Sequence, residues 1–213
     1  MTIDDIGFGT PTLRQTKETK QESFLDANFP HLTSFTFPKN SSDATKQELN
    51  QIMKSVTALK KDEEKQEEYL LYDKFIGNIY ADFLIQHKVK KEAANELVKG
   101  LLAETTPFIY KLKYHFQRPR PYQLALYYKI MLMPFVESSS PSFPSKHAFQ
   151  SKVISEVIGN TYPESYQEVI ALHEDICASR ISLGVSYQSD IDVGIFAGEL
   201  CCGMNEFKLK YKL

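Results

Sequence analysis

The sequence predicts an all-α fold, a bundle of several helices. Apolar residues recur at helical spacing over long segments between residues 41 and 208. No segment alternates apolar and polar residues as a half-buried strand would, and no Asn-Gly or Asp-Gly pair marks a hairpin. Residues that start or stop helices stand at the segment ends.

Residues 1–40 read as an irregular arm. Gly7, Gly9, Pro11, Pro30 and Pro38 interrupt them, while Phe24, Leu25, Phe29, Phe35 and Phe37 give the arm something to pack with. The helical domain is expected over residues 41–213. Thr45 with Glu48 fits a capping box, and Leu49, Ile52, Met53 and Val56 follow at helical spacing. A second helix is expected from about Asp62 to His87. Its wide apolar face, from Tyr69 to Leu84, implies burial on much of its surface. A third spans about Lys90 to Phe116 and stops before Pro119 and Pro121. A short piece and a Ser/Pro loop over 137–145 come next. Helices are then expected over 147–160, 163–183 and 189–208, with Pro163 at a first helical position and Gly184 at a left-handed cap.

Composition excludes several classes. The chain has 213 residues, 42% apolar and 24% charged, which is enough for one domain with a real core. A formal charge of −2 argues against a partner that is a nucleic-acid polymer. The nearest candidate for a membrane span, Leu124 to Val136, is too short and is broken by Lys129 and Pro134. The opening MTIDDIGFGT lacks the apolar centre of a secretory signal. Cys177, Cys201 and Cys202 are odd in number, without metal-ligand spacing, and read as reduced thiols. Together these point to a soluble, cytoplasmic protein. Wide apolar faces and an arm rich in Phe make a homo-oligomer an open expectation.

Three patches in the C-terminal half carry candidate chemistry. The first runs from Lys111 to Pro121 and is dense in cations. Lys113 with Arg120, or equally Lys111 with Arg118, stand seven residues apart, about two helical turns, and project to one side if the helical turn continues past Phe116. A solvated basic helix end has the same look. The second, Ser142 to Ala148, turns straight into a helix, whose first N–H groups make an anion site. Ser145 adds a hydroxyl and His147 a proton carrier. In the third, Ser179-Arg180 is followed by Ser186 and Asp190, with Arg180 ending one helix and Asp190 starting the next. Each of these patches alone also fits an ordinary helix cap.

In this order the patches resemble the type-2 phosphatidic acid phosphatase superfamily, which includes the soluble bacterial class A acid phosphatases and the vanadium haloperoxidases. The matching residues are Lys113 with Arg120-Pro121, then Pro144-Ser145 and His147, then Ser179-Arg180 with Asp190. Arg120-Pro121-Tyr122 and Gln188-Ser189-Asp190-Ile191-Asp192 look most like the acid phosphatases and favour the Lys113/Arg120 register. The resemblance covers residues 113–192. It implies the multi-helix bundle of these enzymes, with a metal-independent reaction on a small phosphorylated substrate, a phosphomonoester or a diphosphate.

The resemblance also implies roles. Lys113, Arg120 and Arg180 would hold the phosphate oxygens, helped by Ser145 and the N–H of Lys146. His147 would protonate the leaving oxygen. A second His would attack phosphorus, oriented by the residue matching Asp190. No cofactor is implied for a phosphatase, although vanadate would mimic phosphate in the same cage, and a haloperoxidase is the alternative chemistry.

The sequence departs from the pattern twice. Lys146 replaces a Gly, and its ammonium either points outward or meets a second anionic group. Ser186 stands where the family has its nucleophilic His. A serine hydroxyl is a poor nucleophile without a base, so the chain as written is expected to bind phosphate and turn over little. An introduced His→Ser change and a natural, non-catalytic binder of phospholigands both fit. Tyr114, Phe116, Tyr122, Phe143 and Tyr187 flank the motifs, either as a wall for a flat leaving group or as core. The arm and the loop over 133–144 are the expected source of the rest of the pocket wall.

Overall fold

The computed structural model describes residues 2–213. Among these every regular element is helical, as the sequence predicts. The arm, however, is not irregular. It forms α1 (Leu13–Thr19) and α2 (Phe29–Leu32), with 3-10 turns at Ile3–Asp5 and Phe24–Asn28. Its apolar residues drive this order. Leu25 and Leu32 are buried in the main core, Phe24 packs on Phe207, and Phe35 packs on Phe196.

Next come α3 (Asp43–Leu59), α4 (Glu63–Gln86) and α5 (Lys91–Phe116). Helix α3 starts earlier than the Thr45–Glu48 pair suggested. Ser42 is extended and its hydroxyl accepts from the Thr45 N–H at 3.2 Å, so Ser42 is the cap. Thr45 already lies inside the helix, and Glu48 turns away to Arg118. Asp62 caps α4 in the same manner, accepting from the Lys65 N–H. Helix α4 is kinked at Phe75, where φ −130° and ψ 33° leave the helical region. Helix α5 ends as Gln117 turns left-handed, two residues before Pro119.

After α6 (Pro121–Ala125) and a 3-10 turn at Leu126–Tyr128, an extended loop leads to α7 (Lys146–Thr161). The segment over 163–183 divides into a 3-10 turn at Pro163–Ser165 and α8 (Tyr166–Ser182). The single helix expected over 189–208 is two, α9 (Gln188–Gly203) and α10 (Asn205–Tyr211), because Met204 is extended and breaks the ladder between them.

Helix α7 is the axis of the bundle. It packs against α4, α5, α8 and α9. Phe149, Val153, Ile154, Val157 and Ile158 are buried, each contributing on the order of 1.5–3 kcal/mol. Helix α9 comes unusually near through two glycines one turn apart. A Cβ on Gly194 would stand 2.7 Å from the Ser145 carbonyl oxygen, and one on Gly198 would stand 2.9 Å from Lys152 Cβ. This approach fixes α9 against the first turn of α7. Gly184 follows α8 with φ +80°, where a Cβ would also meet Pro134 and Val56.

A polar thread runs through this core. The Tyr80 hydroxyl lies 2.6 Å from Ser151 Oγ and 2.9 Å from Ser155 Oγ, and Ser151 Oγ lies 2.9 Å from His173 Nδ1. Burial, with Lys152 nearby adding to it, pushes the His173 pKa down to about 4. The unfolded chain binds that proton at about 6.5. Below pH 6.5 the unfolded state therefore takes up more protons than the folded one, and stability falls as pH drops from 6.5 towards 4. This group alone supplies a slope of up to about 1.4 kcal/mol per pH unit. Urea denaturation across that range is expected to show the decline, and His173→Gln is expected to flatten it.

Candidate functional site

The second and third motifs are joined by main chain. The Ser145 N–H donates to the Asp190 carbonyl at 2.8 Å, and Ser145 caps α7, its hydroxyl accepting from the Ala148 N–H. The first N–H groups of α7, those of Lys146 and His147, have no partner within the helix and carry the positive end of its dipole. Beside this helix start lies a cavity of about 180 Å³. Its walls include Lys113, Arg120, Ser145, Lys146, His147, Arg180 and Ser186. Residues from α5, the start of α6, the start of α7, the end of α8 and the turn after it thus meet at one place.

The register question is resolved by direction. Lys113 and Arg120 face the cavity, whereas Lys111 pairs with Asp26 at 2.5 Å, away from it. Arg118 is enclosed elsewhere. Its Nη1 donates to Asp190 Oδ1 at 2.6 Å and to Ser189 Oγ at 2.8 Å, and its Nη2 pairs with Glu48 at 3.2 Å. Its guanidinium lies 3.9 Å from the Tyr187 ring centre.

Lys113, Arg120 and Arg180 are 1%, 4% and 2% exposed, so their charges are taken almost wholly out of water. Loop carbonyls hold the first two. Lys113 Nζ donates to the Pro141 and Ser142 oxygens, Arg120 Nε to the Ser140 oxygen at 2.7 Å, and Arg120 Nη1 to the Val185 oxygen at 2.6 Å. Arg180 Nη2 pairs with Asp73 Oδ1 at 2.7 Å, while its Nε and Nη1 are buried with no partner among the described residues.

Burial comes first among the causes that lower these basic groups. It takes Lys113 well below its ordinary value, with Arg120 adding to the effect, and takes Arg120 to about 10. Lys146 is lowered by burial and then by Arg180. His147 is pushed well below its usual value by burial, then by Arg180 and Lys146. It is therefore neutral near pH 7, and its Nε2 lies 3.0 Å from the main-chain oxygen of Asp73, the distance of an N–H donating to a carbonyl.

The cavity wall also holds Asp73, Tyr110 and the loop residues Glu137, Ser138, Ser139 and Ser140. The loop contribution matches the expectation for 133–144. The arm supports that loop without lining the cavity, as Gln15 Nε2 donates to the Ser139 carbonyl at 2.8 Å. Asp73 and Tyr110 escaped the sequence reading. Asp73 sits on α4, 40 residues before Lys113, and no local pattern marks it.

The proposed aromatic wall belongs elsewhere. Phe143 and Tyr187 are buried, Phe116 packs edge-on against Phe143, and Tyr114 and Tyr122 bond to Gln15 and Ser138. Tyr110 is the aromatic that lines the cavity, with Lys146 Nζ 5.7 Å from its ring centre. Asp190 stands beside the turn that carries Ser186, which is shorter than the His the resemblance expects there. Its carboxylate accepts from Arg118 and from the Tyr187 N–H at 2.9 Å, and makes no bond to Ser186.

A model of the PAP2 superfamily matches residues 95–205, more than half of the chain, and the protein belongs to that superfamily. Members of that superfamily generally hydrolyse phosphate esters. A comparison with curated proteins found no match. Among the described residues no helix is long and apolar enough to cross a membrane.

Asp190 is a structural keystone whatever the chemistry. Asp190→Ala would leave Arg118 buried with only Glu48 to balance it, and is expected to cost about 3–5 kcal/mol. Asp190→Asn keeps an acceptor for the Tyr187 N–H and is expected to cost less. Urea denaturation of the two variants measures both.

Proposed function

We propose that this protein is a phosphatase-type phosphate binder, taking a phosphomonoester or the terminal phosphate of a diphosphate, and that Ser186 leaves it with little turnover. One observation carries this reading. Four cations, Lys113, Arg120, Lys146 and Arg180, line the cavity against two carboxylates, Asp73 and Glu137. In formal charge this is an excess of two, complementary to a phosphate dianion, and such an anion would favour the protonated forms of Lys113 and Lys146 that burial disfavours. An anion there would use the unpartnered edge of Arg180 and the N–H groups at the start of α7.

In this reading each residue has a role. Lys113, Arg120, Arg180 and Ser145 hold phosphate oxygens. His147 is the proton donor to the leaving oxygen, and a bound dianion raises its depressed pKa by offsetting the cations around it. Lys146, with no hydrogen bond or ion pair among the described residues, takes a second anionic group of the substrate. Ser186 occupies the nucleophile position without a base, since Asp190 is committed to Arg118 and Tyr187. Vanadate is expected to enter the same cavity as a mimic of phosphate.

Calorimetric titration with inorganic phosphate at low ionic strength is expected to show binding that Arg180→Ala weakens by about 10- to 100-fold, the loss of a charge-assisted hydrogen bond or two. Ser186→His is expected to raise hydrolysis of p-nitrophenyl phosphate above the starting protein. No gain in hydrolysis, with the variant folded, would refute the phosphatase reading.

A further inference from the structure

We propose that Asp73 is a positioning residue for the phosphate cavity, setting both Arg180 and His147 from one point on α4. The inference rests on the phosphate reading above and adds to it a residue outside the span matched by the superfamily model. Two contacts define the role. The Asp73 carboxylate takes one corner of Arg180, Oδ1 to Nη2 at 2.7 Å, leaving Nε and Nη1 without a partner. The Asp73 main-chain oxygen lies 3.0 Å from His147 Nε2.

One residue reaches both because α4 is kinked beside it: Phe75, two residues on, has left the helical region with φ −130° and ψ 33°. The Asp73 carbonyl has two lone pairs, and one of them lies within reach of His147 Nε2. The carbonyl holds the proton of neutral His147 on Nε2 and fixes the ring plane. The carboxylate fixes the plane of the guanidinium. An arginine held on one side presents its other edge to a ligand with less rotamer freedom to lose. Asp73 therefore acts through Arg180 and His147 and need not touch the phosphate.

Charge alone predicts the opposite effect, which makes the sign of the experiment decisive. Removing a carboxylate from the cavity wall should tighten a dianion by relieving repulsion. Positioning predicts weakening. Inorganic phosphate is titrated calorimetrically into the wild-type protein, Asp73→Ala, Arg180→Ala and the double variant. Asp73→Ala is expected to weaken binding at least fivefold in the wild-type background and to cause no loss in the Arg180→Ala background. Asp73→Asn, which retains an acceptor for Arg180, is expected to recover binding to within about threefold of wild type, and in it 15N chemical shifts should still report the His147 proton on Nε2.

Tighter or unchanged binding in Asp73→Ala, or an equal loss in both backgrounds, overturns the positioning role while leaving the cavity reading intact. If wild-type protein binds no phosphate, or Arg180→Ala binds it equally well, the cavity reading fails and this assignment with it. Should Asp73→Ala not fold, Asp73→Glu decides. It keeps the charge but displaces the carboxylate by one methylene, so weaker binding supports positioning and unchanged binding refutes it.

Discussion

Three buried cations around one small cavity are the constraint from which the rest of this structure follows. Lys113, Arg120 and Arg180 are withdrawn from water, and a desolvated charge is costly unless something polar replaces the lost hydration. Main-chain oxygens of the loop at 140–142 and of Val185 do so for Lys113 and Arg120, and Asp73 does so for Arg180. The loop path, the approach of α4 and the turn between α8 and α9 are therefore the solvation shell of these cations. The shell is incomplete, because Arg180 retains two buried nitrogens without partners.

Around this centre the fold separates its polar tasks. Arg118, two residues before Arg120, is fully enclosed by Glu48, Asp190, Ser189 and two aromatic rings, and serves the packing of α3 against the start of α9. Arg120 faces the opposite way, toward the cavity. Pro119 stands between them, and the left-handed Gln117 has already ended α5, so consecutive arginines meet two different environments. The buried thread of Tyr80, Ser151, Ser155 and His173 is a third polar system. It belongs to the core beneath α7 and does not open into the cavity.

Much of the fold was legible because its helices are long and their apolar spacing is regular. Helices α4, α5 and α7 lie within a residue or two of their expected bounds. Errors fell where tertiary contacts decide. The arm looked irregular because each of its turns is too short to show a period, and only docking on the body orders it. The Thr45–Glu48 pair mimicked a cap, but Glu48 is held by Arg118 and Ser189, 70 and 141 residues away. The cavity residues drawn from motifs were legible because they stand at or near helix ends, where capping and helix-stopping residues mark the sequence. Asp73 and Tyr110 were not, since each lies on a long helix among many polar residues and only helix packing selects the one that faces inward. Asp190 was legible as a residue, but its partners Arg118 and the Tyr187 N–H were not, because sequence spacing gives proximity and not the direction of a carboxylate.

The turn from Leu183 to Tyr187 is held by its backbone. The N–H groups of Val185 and Ser186 donate to the Arg180 oxygen, the Leu183 and Val185 oxygens accept from Phe135 and Arg120, and the Tyr187 N–H meets Asp190. The side chain at 186 takes no part in any of these bonds. Exchanging the residue at position 186 therefore breaks none of the hydrogen bonds that hold this turn. Under the reading proposed above, the chemistry at that position and the foldability of the turn vary separately.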